Sequence, residues 1–204
     1  MNYQLVLDNI LSTIENRPKL LIHACCAPCS SYCLEYLNPY FDITIMYYNP
    51  NIYPDIEYNR RLQELKDFIK KLPYEIKLME MPYNPSEYYN SIKGYEKLGE
   101  RSERCYKCYE FRMEECAKVA KDNYDYFTTT LSISPYKDAK WINEIGEKLE
   151  KKYQVKYLYA DFKKKNGYKR SIELSKEYNL YRQDYCGCVY SKVEHENRMK
   201  DKNV

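Results

Sequence analysis

Nine cysteines are the residues whose type and spacing point most directly to chemistry. Thiolates are soft ligands for zinc and iron-sulfur clusters, and they also act as nucleophiles and redox groups. Three pairs stand out along the chain: Cys25 and Cys26, Cys105 and Cys108, and Cys186 and Cys188. In a reducing compartment, clustered thiols more often bind metals or take part in catalysis than form disulfides. The sequence therefore predicts a metal or redox site assembled from distant segments.

The first two pairs have the spacing and flanking residues of metal ligands. Cys25 and Cys26 follow a short apolar segment and precede a predicted helix, whose N-terminus would favour the thiolate form. Cys105 and Cys108 lie at the start of another predicted helix, so their sulfurs are about one turn apart. Arg104 precedes this pair and adds positive charge. Both pairs are therefore candidate ligands.

Four thiolates complete the ligand set of a zinc ion or of a [4Fe-4S] cluster. Adjacent thiols are awkward on one tetrahedral ion, because neighbouring side chains diverge along an extended segment. A cluster presents several iron corners and accepts adjacent thiolates more easily. We therefore expect a [4Fe-4S] cluster on Cys25, Cys26, Cys105 and Cys108. The alternative, a non-catalytic RNA-binding module whose cysteines hold structural zinc, remains open.

The third pair leaves three roles open. In an extended segment, residues two apart have Cα atoms near the upper limit of roughly 6.8 Å for a disulfide. Gly187, between Cys186 and Cys188, can bend the backbone and bring the two sulfurs together. Such a bond is strained and easily reduced, which suits a redox-active pair. The competing roles are ligands of a second metal ion and an ordinary reduced turn.

The remaining candidates carry less information. His23 lies beside the first cysteine pair, where it could donate a proton, tune a cluster or serve as a buried core histidine. Residues 132–138 follow a predicted strand and form a candidate substrate loop. Cys33 and Cys116 fall at apolar helix positions and are expected in the core, whereas Cys29 fits either a core or a ligand role. The sequence has neither G-x-x-x-x-G-K-S/T nor G-x-G-x-x-G, which argues against nucleotide binding through either motif.

The elements that position these residues alternate between strands and helices. Strands are predicted at 19–24, 41–48, 74–79, 126–131 and 155–159, and helices at 29–37, 55–72, 105–122, 138–152 and 167–178. This alternation is typical of an α/β fold with a mostly parallel sheet flanked by helices. Sites in such sheets form at the carboxyl ends of the strands. We therefore expect the cysteine pairs to meet at that edge.

Composition sets limits on the class of protein. The 204 residues are 44% hydrophobic and 31% charged, which predicts one domain over 1–204 with an ordinary core. Apolar runs are too short to cross a bilayer, and the N-terminus lacks a signal pattern, so we expect a cytoplasmic protein with no membrane partner. Residues 148–204 contain 15 Lys and Arg against 8 Asp and Glu. This basic C-terminal segment permits a polyanionic partner.

Four ordered motifs resemble the cobalamin-independent epoxyqueuosine reductases. They are His23-x-Cys25-Cys26-Ala27-Pro28-Cys29-Ser30, Arg104-Cys105-x2-Cys108-Tyr109-x2-Arg112, Thr129-x3-Ile133-Ser134-Pro135-Tyr136-Lys137 and Leu180-Tyr181-Arg182-Gln183-x-Tyr185-Cys186-Gly187-Cys188-x-Tyr190-Ser191. The resemblance covers about residues 19–192. It implies a Rossmann-like three-layer sandwich and an oxidoreductase that converts epoxyqueuosine, at the wobble position of tRNA, to queuosine.

The resemblance also implies cofactors and site residues. It implies a [4Fe-4S] cluster on the first two cysteine pairs, is compatible with an adjacent iron ion, and gives Cys186 and Cys188 a redox-active role. The electron donor is not identified by the sequence. A wobble base must be splayed out and stacked on aromatic rings.

We expect five residues to contact this substrate: Tyr181, Arg182 and Tyr185, which adjoin the third cysteine pair, together with Tyr136 and His23. The basic C-terminal segment is expected to bind phosphates of the anticodon stem.

Overall fold

The computed structural model describes residues 1–201 and contains a five-stranded sheet at its centre. The last three residues of the predicted domain lie outside the described range. The strands are β1 (Lys19–His23), β2 (Asp42–Tyr47), β3 (Lys77–Glu80), β4 (Tyr126–Thr129) and β5 (Lys156–Tyr157). Their spatial order is β3-β2-β1-β4-β5, and every neighbouring pair is parallel. The predicted α/β fold with a parallel sheet is confirmed.

Helices cover both faces of this sheet. They are α1 (Tyr3–Leu11), α2 (Ala27–Leu37), α3 (Asp55–Ile69), α4 (Pro85–Ser91), α5 (Glu103–Ala120), α6 (Ala139–Tyr153), α7 (Gly167–Glu177) and α8 (Val189–Asp201). The helices α1, α2, α3 and α7 contribute to the core on one face, and α5 and α6 to the core on the other. Of the helices described, none is both long and apolar enough to cross a membrane.

The two cores follow from the alternation of side chains along each strand. Leu20 and Ile22 of β1 pack into the core beneath α2, whereas Leu21 faces the core beneath α5. All three are fully buried, and such a side chain contributes about 1.5–3 kcal/mol on burial. Strands covered on both faces need apolar residues at successive positions, which explains the continuous apolar run of β1.

The order of the strands reverses beside β1. The chain moves outward from β1 through β2 to β3 and then returns to β4 on the other side of β1. Segments leaving β1 and β4 at their carboxyl ends therefore diverge and leave a crevice, the usual position of a site in this type of sheet. The Cys25–Cys26 turn leaves β1 at this point, and Asn49 donates a hydrogen bond of 2.8 Å to the Ala24 carbonyl oxygen, joining the exits of β2 and β1.

Several boundaries differ from those predicted from the sequence. The prediction extended the fourth strand to Leu131, but β4 ends at Thr129 and a short 3-10 helix, Thr130–Ile133, follows it. The Thr129 hydroxyl accepts a hydrogen bond from the Leu131 N–H, so this side chain caps the 3-10 helix and ends the strand. After β3, where the sequence predicts no helix before residue 105, the chain enters the short helix α4 at Pro85.

Candidate active site

A cavity of about 790 Å³ lies at the carboxyl edge of the sheet. Seven cysteines line it: Cys25, Cys26, Cys29, Cys105, Cys108, Cys186 and Cys188. Its volume lies within the range of small-molecule sites. All cysteines are free thiols, and the two that do not line the cavity, Cys33 and Cys116, are fully buried in the core as predicted. The fold thus gathers the three cysteine pairs around one cavity and adds Cys29.

Three of these thiols form a compact group at the end of β1. The ligand atoms of Cys25, Cys26 and Cys29 all lie within 4.8 Å of one another, and the Sγ atoms of Cys25 and Cys26 are 3.9 Å apart. The expectation that adjacent thiols diverge here is wrong. The chain turns from strand to helix at these residues, with Cys26 at the N-cap of α2 and Pro28 in its first turn. This triad could bind a metal ion, since tetrahedral bonds of about 2.3 Å place sulfurs roughly 3.8 Å apart.

The triad is electrostatically uneven. Hydrogen bonds with the thiols of Cys26 and Cys29 lower the pKa of Cys25 well below its usual value, even though burial opposes this. The nearby cations Lys137 and Arg112 lower the pKa of Cys25 further. The same coupling raises the pKa of Cys26 and brings that of Cys29 to about 12. The site therefore favours one thiolate at Cys25, stabilised by its neighbours.

Cys105 and Cys108 project from the first turns of α5. Cys105 is half-buried and Cys108 is 7% exposed, and burial raises the pKa of Cys105 and brings that of Cys108 to about 12. They line the same cavity as the triad but do not belong to that compact group. One turn further along α5, Arg112 donates from Nε to the Cys108 carbonyl oxygen at 3.3 Å.

The segment carrying Cys186 is fixed to α3 through its backbone. Arg61 Nη1 donates to the Cys186 carbonyl oxygen at 3.2 Å, and Arg61 Nε is paired with Glu57 at 2.7 Å. The Tyr53 N–H donates to the Gly187 carbonyl oxygen at 2.8 Å. Gly187 adopts a φ of +129°, a conformation that L side chains rarely take. These contacts hold the turn between the two cysteines in one conformation.

The two thiols of this segment have different surroundings. Cys186 is exposed, whereas Cys188 is 7% exposed. The Sγ atom of Cys188 accepts a hydrogen bond of 3.4 Å from the Ser191 N–H, in the first turn of α8. The two cysteines are free thiols with no bond between them, so their redox pairing remains a prediction.

The walls of the cavity are predominantly positive. Six lining residues are arginine or lysine and three are carboxylates. Three of the cations are paired: Arg61 with Glu57 at 2.7 Å, Arg104 with Glu194 at 3.1 Å and Arg198 with Glu100 at 3.3 Å. Burial alone lowers the pKa of Lys137, but the charges of Cys186, Cys25 and Cys29 outweigh it and raise the pKa of this lysine. Lys137 therefore remains protonated among the thiols.

A family model described as epoxyqueuosine reductase QueH matches residues 20–194. The chain belongs to the epoxyqueuosine reductase QueH family. A relative of this name from Staphylococcus epidermidis is 45% identical over 204 residues, covering 95% of this chain and 86% of its own length. Its counterpart from Streptococcus pyogenes is 42% identical over 199 residues, covering 94% and 78%. Members of this family are oxidoreductases, and so is this chain. The resemblance drawn from the four motifs is confirmed.

The similarity extends to more distant sequences. The epoxyqueuosine reductase QueH of Thermotoga maritima is 38% identical over 182 residues, covering 86% of this chain and 91% of its own length. The fold aligns with a predicted subunit of a tRNA methyltransferase from Methanocaldococcus jannaschii over 90% of this chain and 89% of that one. That alignment has a TM-score of 0.47 and 12% identity, a likeness too weak to bear on function.

The five predicted substrate contacts of this QueH family member divide into two groups. Tyr136, Arg182 and Tyr185 line the cavity. His23 does not, because it is fully buried and both ring nitrogens have protein partners: Nδ1 lies 2.9 Å from Thr129 Oγ1 and Nε2 lies 3.1 Å from the Tyr48 carbonyl oxygen. Burial lowers the pKa of His23 to about 3, so the ring is neutral. The structure places it in the core and does not support the predicted contact.

Tyr181 also lies outside the cavity. The Arg60 guanidinium stacks on its ring at 3.4 Å from the centroid, and its backbone N–H donates to Glu64. These contacts dock Tyr181 on α3, so the structure does not support the predicted substrate contact here either. Proximity in sequence to Cys186 was the only basis for that prediction.

Sequence reasoning left the role of Cys29 open and missed the roles of other lining residues. Cys29 carried a usable signal, because it forms a Cys-x2-Cys pair with Cys26. Lys137 was noted only as part of the substrate loop and Arg104 only as a charge beside the second cysteine pair. Arg61 carried no signal, since it lies 125 residues from the carbonyl group that it binds.

Proposed function

We propose that this chain reduces the epoxide of epoxyqueuosine, at the wobble position of tRNA, to the alkene of queuosine. The observation that carries the proposal is the convergence of seven cysteines on one positively charged cavity in a member of this reductase family. The substrate follows from the name of the family, and tRNA in turn implies action in the cytoplasm. The cavity has the size for a nucleoside and the charge for its phosphates.

The residues present fit a metal centre. The donor set is entirely sulfur, largely buried and free of disulfides, which is the chemistry that iron-sulfur clusters require. We propose that Cys25, Cys26, Cys105 and Cys108 hold a [4Fe-4S] cluster. Cys29 completes the triad and lies within 4.8 Å of two of these thiols, so it is the candidate ligand of an adjacent iron ion. Such a cluster would supply electrons one at a time, which could return the Cys186 and Cys188 pair to the dithiol between turnovers.

The overall reaction consumes two electrons and two protons. Two C–O bonds of the epoxide break, a C=C bond forms, and the oxygen leaves as water. We propose that the Cys186 and Cys188 dithiol supplies both electrons and both protons as it closes to a disulfide. A reduced electron carrier or a dithiol reductant then reopens the disulfide. Cys186 is the exposed partner, so it is the thiol that reaches the substrate first.

The remaining side chains orient the substrate and control its charge. Lys137 stays protonated beside the thiols and lines the cavity, and in this proposal it polarises the departing oxygen. Tyr136, 66% exposed, and Tyr185, half-buried, offer rings on which a splayed base can stack. The Arg101 guanidinium lies 5.3 Å from the centroid of the Tyr136 ring, at the mouth of the cavity.

Metal analysis of single variants tests the cofactor. Anaerobically purified protein should be brown and contain iron and inorganic sulfide. The Cys105→Ala variant should lose most of the iron and all epoxide reduction, whereas the matched Cys33→Ala variant, altered at a buried core thiol, should keep both. Zinc in place of iron, or full iron content in Cys105→Ala, would contradict the proposed cluster.

Cys186→Ser tests the thiol pair separately. This variant should keep its iron and its colour but fail to convert epoxyqueuosine to queuosine, measured by mass spectrometry of nucleosides from tRNA incubated with reductant. Normal conversion by Cys186→Ser would remove the thiol pair from the mechanism while leaving the cluster in place.

One observation favours a second candidate. The sulfurs of the Cys25, Cys26 and Cys29 triad are spaced as for a single tetrahedral ion, which suits a zinc-stabilised, non-catalytic RNA-binding module. The metal analysis separates the two, since a zinc protein is colourless and cannot deliver electrons.

A further inference from the structure

Arg112 is a buried cation without an obvious partner. The residue is 2% exposed on α5, and its Nη2 atom has no hydrogen-bond partner among residues 1–201. Its remaining contacts are neutral: Nε donates to the Cys108 carbonyl oxygen and Nη1 to Asn49 Oδ1, each at 3.3 Å. An uncompensated buried charge is strongly destabilising, so a fold that keeps one places it against a negative charge.

Other buried arginines of this chain have such a charge. Arg61, 1% exposed, is paired with Glu57, and Arg104, 2% exposed, is paired with Glu194. Within the described range, Arg112 has no carboxylate at ion-pair distance. The ionisable groups with the largest influence on it are the thiols of Cys108, Cys25 and Cys186, followed by a tyrosine.

The position of Arg112 excludes a phosphate of the substrate as its partner. Its side chain does not line the cavity, is almost fully buried, and is bonded to the backbone of Cys108. An anion that satisfies it must therefore be buried and must lie on the thiol side. A metal centre bound by several thiolates is such an anion, because its ligands carry more negative charge than the metal neutralises.

We propose that Arg112 is the fixed counter-charge of the thiolate-bound metal centre. This inference rests on the proposed cluster and deepens it by naming the residue that sets its charge balance. A nearby positive charge favours addition of an electron, so Arg112 raises the reduction potential of the cluster and stabilises its reduced form. In the metal-free protein the single thiolate favoured at Cys25 compensates this buried charge only in part, since Arg112 forms no hydrogen bond to it.

The test uses Arg112→Met, which removes the charge, and Arg112→Lys, which keeps it. In the wild-type and Arg112→Lys proteins with the cluster reconstituted, redox titration followed by absorbance should give similar potentials. In Arg112→Met the ratio of reduced to oxidised cluster at a fixed potential should fall at least tenfold, which for one electron is a shift of about 59 mV. An unchanged potential in Arg112→Met overturns the inference.

The metal-free proteins provide the second measurement, thermal unfolding after chelation. Metal-free Arg112→Met should melt within about 3 °C of wild type or above it, because the variant removes a buried charge that has no hydrogen-bonded anion in the metal-free protein. Arg61→Met is the contrasting control. It leaves the buried carboxylate of Glu57 without its ion-pair partner and should lower the melting temperature by roughly 6 to 12 °C. An Arg112→Met protein that melts as early as Arg61→Met, or fails to fold without metal, assigns Arg112 to the fold and overturns the inference. Absence of iron from the reconstituted wild type would instead refute the proposed function.

Discussion

Single residues at two turns of the cavity determine where its thiols lie. Cys26 is the N-cap residue of α2, three residues after the end of β1, and its sulfur lies 3.9 Å from that of Cys25. Gly187 separates the other cysteine pair at a φ of +129°. A Cβ atom at Gly187 would lie 3.1 Å from Arg61 Nη1 and 3.2 Å from Ile52 Cγ1, both tighter than an ordinary contact. The turn therefore requires glycine for conformation and for space.

Gly187→Ala should displace the turn that carries Cys186 and Cys188. We expect a loss of about 1–3 kcal/mol in the free energy of unfolding and a large fall in epoxide reduction, with iron content unchanged. Denaturant unfolding, metal analysis and the tRNA nucleoside assay measure these three quantities. The matched control is Gly99→Ala, where a Cβ meets nothing within 4 Å and φ is not in the left-handed region. Equal activity of the two variants would show that this turn does not need its observed conformation.

At the scale of elements, periodicity predicted the parts of the fold that bury a clear apolar face. The strands β1, β2 and β4 and the helices α3, α5, α6 and α7 all fall where the sequence predicts them, within a few residues. Their apolar residues recur at the spacing of a strand or a helix, and the two cores use them in this way.

The helices α1, α4 and α8 were not predicted, for physical reasons that differ. The helix α4 has only seven residues, and Asn84 and Pro85 at its start also suit a turn. The helix α8 has one buried residue, Ser191, and is held by ion pairs from Glu194 and Arg198 to distant residues. Such tertiary contacts leave no periodic pattern in the sequence. The position of Tyr181 against α3 could not be predicted for the same reason.

The helix α1 contacts the rest of the fold through its buried face and through the carboxylate of Asp8. This carboxylate makes the stability of the protein depend on pH. Leu7 and Leu11 pack in the core, and Asp8 accepts hydrogen bonds from Tyr36 at 2.8 Å and from Gln4 at 3.1 Å. Burial by itself raises the pKa of Asp8, but hydrogen bonds from Lys165, Tyr36 and Gln4 outweigh it and lower the pKa. The ionised form is therefore favoured in the folded state. Its stabilisation is present above the unfolded pKa, near 4, and is lost as pH falls through the folded value.

Asp8→Asn should lower the free energy of unfolding by about 1 kcal/mol at pH 7 and by less at pH 3, since the carboxylate is partly exposed and is protonated at low pH. Urea unfolding at the two pH values measures the difference. Asp122→Asn is the control, because Asp122 is exposed and makes only a loose ion pair of 3.9 Å with Lys121. If Asp8→Asn lowers the free energy of unfolding equally at both pH values, the carboxylate acts through its shape and not through its charge.

At the scale of the whole molecule, the carboxyl edge of the sheet presents a positively charged surface. The carboxyl edge carries the cavity with its excess of arginine and lysine over carboxylates. Part of this charge comes from the basic C-terminal segment predicted from the sequence, including Arg182 and Arg198, but Arg61, Arg101 and Arg104 come from earlier in the chain. The sequence therefore located only part of the positive surface, since the rest is assembled by folding.

Binding of tRNA to this edge should be strongly salt-dependent, because each phosphate contact releases counterions. Arg101 lies at the mouth of the cavity and is exposed, so Arg101→Gln should weaken tRNA binding about fivefold and reduce the slope of log K against log salt by about 1. The control is Lys70→Gln. The helix α3 runs antiparallel to the strands it connects, so its C-cap Lys70 lies at the opposite, amino edge of the sheet. Fluorescence anisotropy with labelled tRNA measures the affinity from about 50 to roughly 200 mM salt, the range over which phosphate contacts change it most. If the two variants change the slope equally, the positive charge of the whole molecule, and not this edge of the sheet, governs binding.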